Sequence, residues 1–273
     1  MGIRINTNVS SLNTQRHLYN STISFNKSME KLASGLRINR AADDAAGLAI
    51  SEGLKSDIRA LGQASRNASD GISMVQTAEG ALDEVSSILL RMKELAEQSL
   101  GGTLSAEQQD YLDSEYQELS AEIDRIAAGT EYNGVQLLDS TLDVDIQVGI
   151  DTAATSSINV ALATNMNAAG LGLAANVGSA GAPGTALTEV DAAIATVSSA
   201  RADFGAKQNR FESSVRNIQN TAENLSAANS RIRDVDVASE TSKMTSYQIL
   251  QQAGVSVLAQ ANMTSGLALS LLG

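Results

Sequence analysis

Apolar and small residues recur at alternating steps of three and four along positions 54 to 99: Leu54, Asp57, Leu61, Ala64, Ala68, Gly71, Val75, Ala78, Leu82, Val85, Leu89, Met92, Ala96 and Ser99. No proline interrupts the run. The spacing predicts one helix carrying a heptad seam for about six repeats, the pattern of a helix supercoiled on partners. At about 1.5 Å per residue it is roughly 70 Å long and needs partners of similar length. Val190, Ile194, Val197, Arg201, Phe204, Gln208, Phe211, Val215, Ile218, Ala222, Leu225, Asn229 and Ile232 repeat the spacing near the other end of the chain. Two such seams imply a mainly α fold: an elongated antiparallel helical bundle or coiled coil of N- and C-terminal long helices.

Shorter stripes flank the seams. Ile5, Val9 and Leu12 lead into Leu18, Thr22, Phe25, Met29, Leu32 and Leu36, widened by Tyr19 and Ile23, which predicts an amphipathic helix from about 5 to 35 ended by Gly35. Asp43 and Asp44 precede AAGLAI and suit the start of the next helix. Gly101 and Gly102 end the long helix, and Ser105 with Gln108 reads as a capping box for a third one, which carries Leu112, Tyr116, Leu119, Ile123 and Ile126 and closes at Gly129. Asn133-Gly134 signals a turn. The period then switches to two over residues 142–151 and again at Ile158, Val160 and Leu162, predicting one small β-hairpin. Residues 168–186 are rich in Gly and Ala and read as a surface loop. The polar RDVDVASE at 233–240 breaks the second seam. A last helix follows with Ile249, Leu250, Ala253, Val257, Leu258 and Ala261, and the chain ends on Leu267, Leu269, Leu271 and Leu272.

The organisation that follows has two parts: a terminal-helix domain of residues 1–40 plus 236–273, and a helical domain of 41–235 with its β-hairpin and loop at about 133–186. The terminal stripes lie beyond breakers, and isolated helices are marginal in water. They bury their apolar faces on each other or on neighbouring molecules, which points to an assembly protein.

Composition narrows the chemistry. Only 3% of residues are aromatic, as suits thin bundles rather than a broad core. A net charge of −12 argues against nucleic acid and anionic membrane as partners. No apolar run reaches the roughly 18 residues of a membrane span, and the N-terminus lacks the apolar core of a cleaved secretion signal. There is no Cys, and the single His, His17, stands outside any metal-binding motif. The pairs Asp43/Asp44 and Asp234/Asp236 read as helix caps and solvated breakers rather than metal carboxylates. No nucleotide-binding glycine loop is present, so the sequence implies no enzyme and no cofactor.

Seven strings carry a resemblance: INTNVSSLNTQ near the start, ASGLRINRAADDAAGLAI at 33–50, QASRNASDGISMVQTAEGAL at 63–82, LLRMKELAEQS at 89–99, EIDRIAAGTEYNGVQLL at 122–138, FGAKQNRFESSV at 204–215 and SYQILQQAGVSVLAQAN at 246–262. Together they resemble bacterial flagellin over nearly all of the chain except about 140–186. The resemblance implies a subunit that self-polymerises into the extracellular flagellar filament for swimming motility. Its paired terminal helices line a central channel, and a helical domain with a β-hairpin surrounds them. Larger members insert outer domains where this chain has only the hairpin and the Gly/Ala loop, so it looks like a minimal form. Ile5, Val9, Leu12, Leu18, Phe25, Met29, Leu32, Leu36, Ile249, Leu250, Val257, Leu258, Leu269 and Leu271 are the expected self-assembly residues. The family also implies type III export without processing, an export chaperone on the C-terminal stripe, and hook-associated junction and cap proteins as neighbours. It further implies recognition by the flagellin-sensing Toll-like receptor through Arg91, Leu95 and Glu115. Helix geometry places Arg91 and Leu95 beside the seam, so Leu95 is expected either to be partly exposed or to pack against the 105–128 helix. The alternatives are a hook–filament junction protein, a secreted adhesin or glycan carrier, and a zinc protease on the same scaffold. The last needs an H-E-x-x-H motif that residues 140–186 lack.

Overall fold

The computed structural model describes residues 7–138, 142–151 and 153–270, with side-chain surroundings described as far as Met263 except at Ala154. The fold is mainly α. In chain order the elements are α1 (Val9–Ser34), α2 (Ala45–Leu100), α3 (Ala106–Gly129), β1 (Glu131–Tyr132), β2 (Val135–Gln136), β3 (Asp143–Gln147), β4 (Ser157–Ala161), α4 (Pro183–Arg233) and α5 (Val237–Ser270). The chain divides into two compact units: residues up to Ser56 with those from Asn224 onward, and Asp57–Glu223.

Within the Asp57–Glu223 unit, every predicted seam position of α2 from Leu61 to Ser99 is buried. The facing row on α4 is Ala186, Val190, Ala193, Val197, Ala200, Phe204, Phe211 and Ile218. This corrects the sequence reading at two steps. The seam passes through Ala193 and Ala200, whereas Ile194 and Arg201 are only half-buried on its flank. Ala193 and Ala200 are buried in the row, while Arg201 places its guanidinium on Asp83 at 2.9 Å. That ion pair and Lys93–Asp191 at 2.7 Å set α2 and α4 antiparallel. Helix α3 begins with the expected capping box, Ser105 Oγ accepting from the Gln108 amide, and packs Tyr116, Ile123 and Ala127 inward. A fully buried Leu, Val or Phe stabilises by about 1.5–3 kcal/mol, so this apolar row is the main support of the unit.

Two antiparallel strand pairs stand where one hairpin was expected. In the larger, Asp143 pairs with Ala161 and Gln147 with Ser157. Ile158 and Val160 face inward with Leu142 and Leu162. The shorter pair turns at Asn133-Gly134, where both residues have positive φ (50° and 78°), the geometry that favours Asn-Gly. Gly71 is the point where α2, β3 and α4 close together. A Cβ there would lie 2.8 Å from Ile146 Cδ1 and 2.9 Å from Phe211 Cζ.

The Gly/Ala stretch is not a loose surface loop. Ala168, Leu171 and Val177 within it are buried, as is Met166 just before it. Carboxylates on α3 and α4 bind its backbone: Asp124 accepts from the Ala168 amide at 2.7 Å, Asp113 from Val177 and Gly178 at 2.8 and 3.2 Å, and Glu189 from Ala174 and Ala175 at 2.9 and 2.8 Å. Ser99 Oγ donates to the Val177 carbonyl at 2.6 Å. These bonds satisfy amides that no ladder provides for, which allows an irregular segment to be buried. Burial, reinforced by Glu189 and Asp113, pushes the nearby Tyr116 phenol up to about 12.

In the other unit, the breakers after α1 and after α4 pair with each other. Val235 donates to the Gly35 carbonyl at 3.0 Å, and the Arg37 amide to Arg233 at 2.6 Å. The Arg37 guanidinium caps the end of α4 by donating to the Ile232 carbonyl at 3.1 and 2.7 Å. Gly35, with φ 72°, ends α1 in the left-handed conformation that only glycine adopts freely.

Candidate assembly surface

Helices α1 and α5 pack along one another. Their facing positions follow heptad spacing. Ser11, Thr14, Leu18, Ser21, Phe25, Ser28 and Leu32 on α1 meet Glu240, Met244, Tyr247, Gln251, Gly254, Leu258 and Ala261 on α5, and all are buried or half-buried. The row is rich in small and polar residues, and hydrogen bonds cross it repeatedly. Asn8 Nδ2 donates to the Ala261 carbonyl at 2.8 Å and Ser11 Oγ to Asn262 Oδ1 at 2.9 Å. Gln251 Nε2 donates to Thr22 Oγ1 at 2.8 Å, and Ser28 Oγ to Glu240 Oε1 at 2.6 Å. Leu18 fits against Gly254, where an added Cβ would come within 3.2 Å of Leu18 Cδ1. These bonds run antiparallel and fix one register.

Large apolar side chains lie on both sides of the pair: Leu18, Phe25, Leu32, Met244, Tyr247 and Leu258 line the seam, and others face outward. On α1, Val9, Leu12, Tyr19 and Ile23 are exposed, with Leu12 at 56%. Their steps of three, seven and four place them on one face, opposite the seam. On α5, Ile249 (59%), Leu250, Val255, Val257 and Met263 are exposed. Soluble monomers rarely leave such a row uncovered, and contiguous apolar surface of this kind marks an interaction site.

The expected assembly residues therefore separate into two groups. Val9, Leu12, Met29, Ile249, Leu250 and Val257 are exposed. Leu18, Phe25, Leu32 and Leu258 are half-buried in the α1–α5 seam, and Leu36 is half-buried in the paired breakers, bridged to Asp234. Ile5 and Leu271, and the side chain of Leu269, lie outside the described residues. The sequence reading did not single out Val237, Val255 or Met263, all exposed on α5; apolar and polar residues are spread around that helix, so no one face stands out.

Arg91 joins α2 to α3. Its Nε and Nη2 donate to Glu115 Oε1 at 3.0 and 2.8 Å, and its Nη1 to Glu94 Oε2 at 3.0 Å. The hydrogen bond to Glu115, then that to Glu94, holds the guanidinium pKa above its ordinary value. Leu95 corrects the expectation of partial exposure: it is 0% exposed. It widens the buried seam of α2 by one position next to Ala96.

Among the described residues, no three His, Cys, Asp or Glu side chains are grouped to hold a metal ion, and no helix is long and apolar enough to cross a membrane.

Residues 5–143 match the bacterial flagellin N-terminal helical region, and residues 187–272 match the bacterial flagellin C-terminal helical region. The chain is 46% identical over 270 residues to a flagellin of Halalkalibacterium halodurans, covering 98% of this chain and 99% of that one. It is 44% identical over 307 residues to a flagellin of Bacillus subtilis, covering 99% and 100%. It is 43% identical over 284 residues to the flagellar filament 33 kDa core protein of Treponema phagedenis, covering 98% and 99%. By both terminal regions and full-length identity, the chain belongs to the bacterial flagellin family.

Proposed function

We propose that the outward faces of α1 and α5 are the subunit–subunit contacts of the flagellar filament. One observation carries this reading: the large apolar residues Leu12, Tyr19, Ile23, Ile249 and Leu250 stay exposed although the seam between the two helices is already formed by other residues. Leu18, Phe25, Leu32 and Leu258 hold the pair together, and Val9, Leu12, Met29, Ile249, Leu250 and Val257 dock on neighbouring copies. Segments 1–40 and 236–273 form the filament interior. The role is structural, with no catalytic step. Hook-associated junction and cap proteins meet the same terminal helices at the filament's ends, and an export chaperone covers the α5 face before secretion. Seeded polymerisation followed by electron microscopy tests the docking faces. Leu12→Asp and Ile249→Asp should leave a soluble, helical subunit that does not extend seeds, because a buried unpaired charge costs several kcal/mol. Normal filaments from both variants overturn the assignment.

The Arg91–Glu115 pair is the proposed contact for the Toll-like receptor on the free subunit. Leu95 supports it from the buried seam of α2. Arg91→Ala and Glu115→Ala should each weaken signalling in a receptor reporter assay by roughly 30-fold, the effect of an interface hot spot. Leu95→Ala should weaken signalling together with thermal stability. Full signalling from both charge variants overturns the proposal.

A further inference from the structure

The described methionines fall into buried, half-buried and exposed positions. Met74, Met92 and Met166, all in the Asp57–Glu223 unit, are 5%, 0% and 2% exposed. Met29 on α1 and Met263 on α5 are 48% and 61% exposed. Met244 is half-buried between those helices. Neither exposed methionine belongs to the seam. Met29 follows Ser28, whose hydroxyl bonds Glu240, and Met263 follows Asn262, whose side chain accepts from Ser11. The two sulfurs therefore mark opposite ends of the α1–α5 pair, each at a cross-helix hydrogen bond that leaves the thioether free of the seam.

A thioether is oxidised according to its access to the oxidant, and the product is a polar sulfoxide where an apolar chain stood. With no Cys in the chain, no thiol competes for oxidant. We propose that Met29 and Met263 form an oxidation-sensitive site, at which oxygen transfer from a peroxide stops self-assembly of the free subunit without disturbing the Asp57–Glu223 unit. The sulfur lone pair attacks one oxygen of hydrogen peroxide, so an S–O bond forms and the O–O bond breaks. The departing hydroxide takes the proton of the transferred oxygen and leaves as water. Sulfur loses two electrons and the peroxide gains them. The sulfoxide oxygen must then be desolvated wherever a neighbouring copy covers it, while the seam hydrogen bonds persist and the helix pair stays intact. This inference rests on the reading that the outward faces of α1 and α5 dock on neighbouring subunits.

The test exposes purified monomer to hydrogen peroxide, quenches with free methionine, maps the oxidised residues by peptide mass spectrometry and measures seeded filament growth. The expected result is oxidation at Met29 and Met263 with Met74, Met92 and Met166 unmodified, and growth slowed by roughly tenfold or more. Reduction by methionine sulfoxide reductase should restore growth. The Met29→Leu/Met263→Leu double variant, compared with its own untreated growth, should lose little on peroxide treatment. Oxidised wild type growing at the untreated rate overturns the proposal. So does failure of growth to return once both sulfoxides are reduced, or an equal loss in the double variant. Leu12→Asp and Ile249→Asp run alongside separate the two readings. If they block growth while the oxidised protein grows normally, only the methionine proposal fails; if they grow normally, the docking faces themselves are wrong.

Discussion

Ser28 and Glu240 lie 212 positions apart in the chain, yet the Ser28 hydroxyl donates to Glu240 Oε1 at 2.6 Å inside the α1–α5 seam. Both residues are buried, and Lys243 reaches the other carboxylate oxygen at 3.3 Å. A buried carboxylate tolerates few alternatives to its partner, so this contact sets the register of two helices whose apolar content would allow sliding. The Ser28 hydrogen bond, seconded by Lys243 and opposed by burial, holds the Glu240 carboxyl below its ordinary value of 4.5. A lowered native value stabilises the fold above the unfolded value, and the contribution is lost as pH falls through the native one. Pairing of α1 with α5 should therefore weaken below about pH 4.5, with Ser28→Ala mimicking the effect at neutral pH at a cost of about 1–3 kcal/mol. Hydrogen exchange of the Tyr247 and Leu258 amides reads this out. Unchanged protection in Ser28→Ala contradicts it.

The long α2 seam was legible in the sequence because its apolar positions coincide with the helical period at every step from Leu61 to Ser99. On α4 two phases were available, sharing Val190, Val197, Phe204, Phe211 and Ile218. Choosing the bulkier neighbour at each intermediate step selected Ile194 and Arg201, whereas the buried row runs through Ala193 and Ala200. The loop at 168–186 hid its order because carboxylates of α3 and α4 recognise backbone amides, and no side-chain pattern in the loop encodes that. The terminal stripes were visible, but which side faced the partner helix was not. Ser11, Thr22 and Ser28 are met by Asn262, Gln251 and Glu240, partners more than 200 positions away that the pattern of α1 alone does not encode. Leu95 looked like a flank because it stands one step off the α2 heptad row, yet it is fully buried.

Asp113 anchors the irregular segment through two backbone amides, Val177 at 2.8 Å and Gly178 at 3.2 Å. Asp113→Ala leaves both without that acceptor and should destabilise the Asp57–Glu223 unit by about 1–3 kcal/mol. Protease cleavage within 174–180 should rise before the long helices melt. Equal resistance of variant and wild type shows that the carboxylate does not hold the segment.

Gly71→Ala adds a methyl 2.8 Å from Ile146 Cδ1 and 2.9 Å from Phe211 Cζ, both on packed side chains. Overpacking costs about 1–3 kcal/mol, against a gain in helix propensity of at most about 1 kcal/mol. Thermal melting should show net destabilisation. Gly80→Ala, where nothing lies within 4 Å of the added carbon, should instead be neutral or stabilising. A reversed order between the two variants contradicts the packing described for α2, β3 and α4.

The central claim is that the outward faces of α1 and α5 are open in the free subunit and covered in the filament. The chain has no Cys, so single Leu12→Cys and Ile249→Cys variants report one position each, and the rate of maleimide labelling in monomer and in polymer measures their cover directly. The account predicts fast labelling of both variants as monomers, and labelling slowed by roughly tenfold or more in filaments grown from the same protein. Equal rates in the two states contradict it.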